Sequence, residues 1–198
     1  MARKKASNLE MVVSVVVVCA IAAAGLALTY AVTKDRIAAQ DREAQLRALR
    51  LAVPGVEEFV PASSYALSIA TQAAGETPVY GVFEAMENGQ QVGWAVVVGP
   101  RGYGGPIRMV VGLDRDGKVV GVSIISMNET PGLGSQIVER ASFLKQFVGL
   151  DSATAEADIK RLDMITGATK SSRGARHGVE AAVAAYLALQ NQTGEATE

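Results

Sequence analysis

The chain has 198 residues, of which 49% are hydrophobic and 20% charged, enough for one globular core but not for two. A formal net charge of only -1 and an aromatic content of 5% exclude a nucleic-acid surface built from basic residues and stacking rings. Because Cys19 is the only cysteine, the chain supplies neither a disulfide framework nor a cysteine-ligated metal or iron–sulfur site, so any redox chemistry requires an organic cofactor.

The N-terminus predicts one membrane-spanning helix. Three basic residues at positions 3–5 precede the uncharged apolar segment Met11 to Val32, whose 22 residues are enough to cross a bilayer. By the positive-inside rule, residues 1–10 lie in the cytoplasm and everything downstream lies outside the cytoplasmic membrane. A cleavable signal peptide is the main alternative, since residues 20–24 are small, but the apolar run exceeds the usual length of such a region.

The segment that follows predicts a stalk helix continuous with the anchor. Residues 33–51 are rich in Ala and Leu with interleaved Arg, Asp and Glu, and Pro54-Gly55 ends the helical pattern. We expect this stalk to hold the downstream domain near the membrane surface. Residues 61–78 are rich in Ser, Ala, Thr and Gly, and the pattern leaves open whether they form a loop or a weak helix.

Four β-rich runs predict two hairpins that pair as a meander. An Asn88-Gly89 pair separates the first two runs and residues 114–117 separate the last two, as hairpin turns require. Trp94 is interpreted as a core residue, with a cofactor contact as the alternative. The four runs are Val79–Ala85, Val92–Val98, Ile107–Leu113 and Lys118–Ser126.

The region after the last strand combines a Pro/Gly-rich loop with helices. Asn128 to Gln136 contains one proline and two glycines, which favours a loop that presents a function, although a plain strand-to-helix connection is the alternative. Ser135 is predicted to cap a helix that runs toward Phe147. Further helical text lies around Ala153–Ile159.

A terminal helix is predicted from about Ser171 to Leu189. Its helical spacing predicts a face packed on the sheet, formed by Val179, Ala182, Val183, Tyr186 and Leu187. The basic residues Arg173, Arg176 and His177 are predicted on the solvent face. Since His177 is the only histidine and no Gly-x-Ser-x-Gly elbow accompanies it, the pattern argues against a hydrolase and against a transition-metal site.

The run from Asp163 to Thr169 leads directly into this helix. A phosphate at a helix N-terminus meets unpaired backbone N–H groups and the positive end of the helix dipole. Thr166 or Thr169 would place a hydroxyl beside it, and Gly167 would allow a close approach. The residues alone leave open whether this turn is only a helix cap and which threonine a phosphate would meet.

Two motifs indicate a family. Asp163-Met164-Ile165-Thr166-Gly167-Ala168-Thr169 resembles the Asp-x-x-(Ser/Thr)-Gly-Ala-Thr acceptor motif of extracytoplasmic flavin-binding domains, to which a flavin transferase attaches FMN through a phosphoester. Glu129-Thr130-Pro131-Gly132-Leu133-Gly134 resembles the second signature of that family. With residues 102–107 and the single anchor, the whole chain is similar to the G subunit of Rnf-type ion-translocating electron-transport complexes. The related C subunit of sodium-pumping NADH:quinone oxidoreductase shares both motifs.

The resemblance implies an α+β fold in which one FMN-binding domain, with a largely antiparallel sheet packed against helices, follows the transmembrane helix and stalk. The expected divisions are a cytoplasmic N-terminus (1–10), a transmembrane helix (11–32), a stalk (33–55), the extracytoplasmic FMN-binding domain (56–190) and a flexible tail (191–198). Thr169 is the residue expected to carry covalent FMN, and neither a catalytic residue nor a metal is expected. The other expected FMN contacts are Asp163, Thr166, Gly167, Ala168, Glu129, Thr130 and Leu133.

The function that the resemblance implies is electron transfer. We expect a redox subunit of a membrane-bound ion-translocating oxidoreductase that passes electrons through its FMN and turns over no substrate independently. Its expected partners are the other membrane subunits of the complex and, during maturation, the flavin transferase. The alternatives are an FMN-binding domain of a different extracytoplasmic reductase and a non-redox, membrane-anchored binding or assembly module.

Overall fold

The computed structural model describes residues 8–195. The chain divides into two units, one ending at Glu43 and the other beginning at Ala44. In chain order the elements are α1 (Asn8–Ala52), β1 (Glu58–Pro61), α2 (Ser64–Ala73), β2 (Val79–Glu87), β3 (Gln90–Val98), β4 (Arg108–Asp114), β5 (Val119–Ser126), α3 (Gln136–Glu139), α4 (Ala141–Lys145), α5 (Ala155–Ile159) and α6 (Thr169–Glu195).

Helix α1 is long and apolar enough to cross a membrane. Its most apolar window has a mean hydropathy of 2.8, and its apolar side chains in that window are exposed to the surroundings, as a lipid-facing helix requires. Helix α1 contains the segment predicted as transmembrane helix (11–32) and residues 33–52 of the predicted stalk (33–55), and it ends at Ala52, two residues before Pro54. Of the predicted cytoplasmic N-terminus, residues 1–7 lie outside the described residues.

The five strands form one antiparallel sheet in the order β1-β2-β3-β4-β5. The α+β prediction with a largely antiparallel sheet is therefore confirmed. Asn88 and Gly89, which join β2 to β3, have φ angles of 52° and 75°, the left-handed pair that a type I′ hairpin turn demands. The short edge strand β1 was not predicted, and α2 settles the ambiguous segment 61–78 in favour of a helix, capped by the Ser63 hydroxyl.

Both faces of the sheet are buried. Along β3, Val96 and Val98 point toward the core that includes α2 and α6, whereas Ala95 and Val97 point toward the end of α1. This alternation follows from the two-residue period of a strand. On the α1 side, a Cβ at either member of the cross-strand pair Gly112 and Gly121 would collide with the Ala52 carbonyl oxygen, so these glycines allow the helix end to approach the sheet.

Two predictions about the helices require correction. The helix predicted from Ser135 toward Phe147 is broken at Arg140, which adopts an extended conformation between α3 and α4. Ser135 does not cap α3 with its side chain, because its hydroxyl accepts a hydrogen bond from the Gly132 N–H (2.8 Å) within the preceding loop.

Helix α6 packs much as its spacing predicts. Four of the five predicted core residues are buried, whereas Leu187 is 38% exposed. Arg173 and His177 are exposed and Arg176 is half-buried. The helix continues to Glu195, so the first five residues of the predicted tail 191–198 are helical and the last three lie outside the described residues.

Candidate functional site

The acceptor-like motif folds into a tight turn in front of α6. The Ala168 N–H donates to the Ile165 carbonyl oxygen (2.9 Å), and Gly167 has a φ angle of 85°, a left-handed conformation that glycine adopts without strain. The buried Ser172 hydroxyl accepts from the Ile165 N–H (3.2 Å), and the Ser172 N–H donates to the Ala168 carbonyl oxygen (2.8 Å). These bonds connect the acceptor-like segment to the first residues of α6.

Thr169 is the first residue of α6 and its side chain is exposed. Because α6 has 27 residues, its N-terminus carries the full partial charge of a long helix as well as unpaired N–H groups. An anionic ester on Thr169 would therefore be stabilised electrostatically. The neighbours of Thr169 in the chain, Ala168 and Lys170, both line an adjacent cleft.

This cleft has a volume of about 210 Å³ and brings three separate segments together. The segments are the glycine-rich loop after β3, the Pro/Gly loop after β5 and the start of α6. The residues that line this motif cleft are Tyr103, Glu129, Thr130, Leu133, Gly134, Gly167, Ala168, Lys170 and Ser171.

Glu129 links the three segments by hydrogen bonds. Its Oε1 accepts from the backbone N–H groups of Tyr103 (2.8 Å) and Gly104 (3.3 Å), and its Oε2 accepts from the Ser171 hydroxyl (2.7 Å). Bonds to an ionised acceptor are stronger than those between neutral groups. The carboxylate therefore fixes both loops to the first turn of α6.

Two glycines make room for this carboxylate. A Cβ on Gly102 would collide with Glu129 Oε1, and a Cβ on Gly134 would collide with Oε2 and lie 2.7 Å from the Ser171 hydroxyl. No larger residue fits at either position without displacing the carboxylate. Gly102 and Gly134 are therefore explained by the space that the Glu129 carboxylate needs, which the amino-acid composition of the loops does not reveal.

Tyr103 and Lys170 form one wall of the cleft. The Lys170 ammonium lies 5.5 Å from the centroid of the Tyr103 ring, within the range of a cation–π contact. Tyr103 is 70% exposed, as is suitable for a ring that can meet a ligand. The opposite loop presents Leu133, which is half exposed.

The structure brings five of the eight predicted contacts into the cleft lining: Glu129, Thr130, Leu133, Gly167 and Ala168. Asp163 has an exposed side chain, and its backbone N–H and carbonyl bond the Gln146 side chain at 3.0 and 3.1 Å. Thr166 is exposed in the turn itself. Trp94 is half-buried and packs against the core, as its primary interpretation predicts.

Sequence reasoning missed Tyr103, Gly134, Lys170 and Ser171 as residues of the site. Lys170 and Ser171 directly follow the acceptor-like motif, and this position could have indicated that they belong to the site. The position of Tyr103 within a glycine-rich run is weaker evidence for the same conclusion. None of these signals shows which side chains meet across loops far apart in the chain.

Larger hollows lie elsewhere on the described part of the chain, one of about 450 Å³ beside α5 and one of about 560 Å³ that includes His177. Size alone would favour them over the motif cleft. We favour the motif cleft because the two motifs meet there and because a long helix begins beside it. Within residues 8–195, no group of three His, Cys, Asp or Glu residues is placed to hold a metal ion.

Solved and curated proteins agree with this description. Residues 102–184 match the FMN-binding domain family, and residues 15–50 match the RnfG N-terminal region. The C subunit of the Na(+)-translocating NADH-quinone reductase from Parabacteroides distasonis shares the fold, with a TM-score of 0.51 and 19% identity over 76% of this chain and 92% of that one.

Curated relatives extend the likeness over most of the chain. The G subunit of the ion-translocating oxidoreductase complex of Aliivibrio fischeri is 34% identical over 87% of this chain and 88% of its own. The G subunit of the Na(+)-translocating ferredoxin:NAD(+) oxidoreductase complex of Acetobacterium woodii is 31% identical over the same shares of the two chains. With these relatives and both family matches in agreement, the chain belongs to the family of G subunits of ion-translocating oxidoreductase complexes.

Proposed function

We propose that this chain is an electron-carrier subunit of a membrane-bound ion-translocating oxidoreductase complex and that its FMN is esterified through phosphate to Thr169. The observation that carries the proposal is the position of Thr169 as the first residue of a 27-residue helix, between two residues that line the motif cleft. The match of residues 102–184 to the FMN-binding domain family supports the choice of cofactor.

The residues of the site suit FMN. The helix N-terminus and the Lys170 ammonium favour an anionic phosphate, while Tyr103 and Leu133 offer apolar surface to a flat ring. The cleft of about 210 Å³ is smaller than sites that enclose a ligand of this size, which span roughly 300–1,000 Å³. It would therefore hold part of FMN and leave the remainder at the protein surface.

Bound FMN would supply the redox chemistry, and the protein would supply position and electrostatics. Thr169 would hold the cofactor without taking part in electron transfer. Ala168 and Gly167 would leave space beside the ester because they carry little or no side chain. Glu129 would keep the walls of the cleft together through its three hydrogen bonds.

The long apolar helix fits a single-pass membrane subunit. We place residues 1–10 in the cytoplasm and the FMN domain on the extracytoplasmic side, because the basic residues precede the span. A flavin transferase would attach the cofactor there, and the other membrane subunits of the complex would exchange electrons with it. A covalent bond would prevent loss of a small cofactor to the medium outside the cell.

Substitution of the two threonines tests the site of attachment. The full-length chain is expressed with a flavin transferase and separated on a denaturing gel, where only covalent flavin remains fluorescent. We expect fluorescence from the wild type and from Thr166→Ala, and none from Thr169→Ala, because only Thr169 begins α6.

Two results would contradict the assignment. A wild-type band without fluorescence would refute covalent flavin, and a fluorescent Thr169→Ala band would place the ester elsewhere. Thr166→Ala distinguishes the two threonines of the motif, since it removes the other exposed hydroxyl of the same turn. Reversible bleaching of the flavin absorbance by a chemical reductant would then test electron uptake.

A further inference from the structure

The carboxylate of Glu129 is hydrogen-bonded to other residues of the protein. The family resemblance implies that this residue contacts FMN, yet its oxygens accept three hydrogen bonds from two backbone N–H groups and one hydroxyl. The oxygens also fill the space that Gly102 and Gly134 leave open. This arrangement gives the carboxylate a structural role within the protein itself.

Ser171 is the partner that connects Glu129 to the acceptor threonine. Ser171 is 1% exposed and belongs to the first turn of α6, two residues after Thr169. A buried hydroxyl without a partner is destabilising, so the bond to Glu129 Oε2 stabilises this orientation of the helix start. Helix ends otherwise fray because their first N–H groups have no partner within the helix.

The opposite oxygen extends the same restraint to the cleft wall. Glu129 Oε1 holds the backbone of Tyr103, whose ring meets Lys170 beside Thr169. One carboxylate thus bonds both the loop that carries Tyr103 and the first turn of α6, which begins with Thr169. Loss of its charge would loosen the glycine-rich loop and the first turn of α6 together.

We propose that Glu129 is a positioning residue that acts through Ser171 to hold Thr169 in the geometry required for flavin attachment; the proposal rests on the function proposed above. In that transfer the Thr169 hydroxyl oxygen bonds to the phosphorus of the FMN half of a flavin dinucleotide. The pyrophosphate bond breaks, the nucleoside monophosphate leaves with the electron pair, and the threonine proton passes to a base of the transferase or to solvent. No atom changes oxidation state.

The first test measures attachment kinetics. The full-length chain in detergent is treated with purified flavin transferase and a flavin dinucleotide, and the initial rate is followed by in-gel fluorescence at several chain concentrations. Since a displacement of about 1 Å can lower a rate about 100-fold, we expect Glu129→Gln and Ser171→Ala each to lower kcat/KM by about 10- to 100-fold. The double variant should be no slower than the slower single variant, because both changes break one linkage.

The second test needs no flavin. Amide hydrogen exchange of the unmodified chain should accelerate at residues 103–104 and in the first turn of α6 in Glu129→Gln, and in that turn in Ser171→Ala. Glu139→Gln is the matched control, because Glu139 is an exposed glutamate of α3. We expect wild-type rates and exchange from it. If Glu129→Gln fails to fold, Ser171→Ala carries both measurements.

The outcomes separate the possible roles. Slow attachment in Glu129→Gln with wild-type behaviour in Ser171→Ala, or a shifted flavin absorption band in Glu129→Gln alone, would overturn positioning in favour of direct flavin contact. Wild-type rates in both variants would overturn the positioning role and leave the flavin site at Thr169 intact. A wild-type chain that takes up no flavin would overturn the proposed function and with it this inference.

Discussion

Two consecutive serines at the start of α6 form hydrogen bonds to two different segments of the chain. Ser171 donates to Glu129 across the cleft, whereas Ser172 accepts from the Ile165 N–H on the side of the turn. Both are buried, with 1% and 0% exposure. Because neighbouring residues of a helix point about 100° apart, the two hydroxyls restrain separate segments from a single turn. Thr169 remains exposed beside them.

At the residue scale, the raised pKa of Tyr186 predicts that the free energy of unfolding decreases at high pH. Burial raises its pKa above the ordinary value of 10.0; the Gln190 side chain opposes this by a hydrogen bond, and Asp114, Asp116 and Asp151 add to the rise. A raised pKa in the folded state means that the unfolded state loses its proton first as pH increases. The contribution of this hydroxyl is therefore complete below pH 10 and declines as pH rises through the folded-state pKa.

Chemical denaturation of the full chain in detergent checks this prediction. The difference in unfolding free energy between the wild type and Tyr186→Phe should be constant at neutral pH and should shrink above pH 10. Below that pH the wild type should be the more stable protein, since the Tyr186 hydroxyl donates to the Arg115 carbonyl oxygen (2.9 Å). An equal decline measured for Tyr65→Phe, an exposed tyrosine of α2, would contradict the assignment to Tyr186.

At the scale of elements, the end of α1 belongs to the folded core. Leu49 is 1% exposed and packs with the sheet face that includes Val97 and Val110, whereas Leu51 on the same helix is 69% exposed. We expect Leu49→Ala to lower the free energy of unfolding by about 2–5 kcal/mol, because it removes buried methyl groups and leaves a cavity. Leu51→Ala is the matched control and should change it by less than about 0.5 kcal/mol.

Denaturant titration of the full chain, followed by the fluorescence of Trp94, measures this difference. Trp94 is suitable because it packs against the core of the unit that begins at Ala44. Equal decreases in the free energy of unfolding for Leu49→Ala and Leu51→Ala would contradict a specific contribution from the buried face of α1.

Elements with strong local signals were predictable from the sequence. The Asn88-Gly89 turn and the Pro54-Gly55 stop each depend on backbone preferences of adjacent residues, and both predictions agree with the structure. Strand β1 escaped prediction because its four residues are stabilised by pairing with β2 and have little pattern of their own. The break at Arg140 also escaped prediction, because the residues on both sides of it have helical patterns and only the extended backbone of Arg140 separates α3 from α4.

The candidate site also contains features that the local sequence predicts and features that it does not. The acceptor-like turn was predictable because Gly167 and the following helix lie within a few adjacent positions. The Glu129–Ser171 bond joins residues 42 positions apart, and its existence depends on how the loop after β5 meets the first turn of α6. No periodicity or turn rule within either segment specifies that meeting.

At the scale of the whole molecule, the proposed orientation predicts which terminus is accessible from outside the cell. In spheroplasts of a bacterial host treated with protease, a C-terminal tag should be degraded and an N-terminal tag protected, since the basic residues at 3–5 precede the span. Lysed cells supply the control in which both tags are degraded. Protection of the C-terminal tag in intact spheroplasts would contradict an extracytoplasmic FMN domain.

The sequential strand order also has a consequence for the timing of maturation. Each strand pairs with the next one along the chain, so a polypeptide synthesised from its N-terminus can build the sheet pair by pair as it emerges. Helix α6 follows all five strands in the chain, yet it covers one sheet face and contributes Lys170 and Ser171 to the lining of the motif cleft. The proposed acceptor Thr169 therefore acquires its surroundings only after all five strands have been synthesised, so the proposed flavin attachment would require a folded domain.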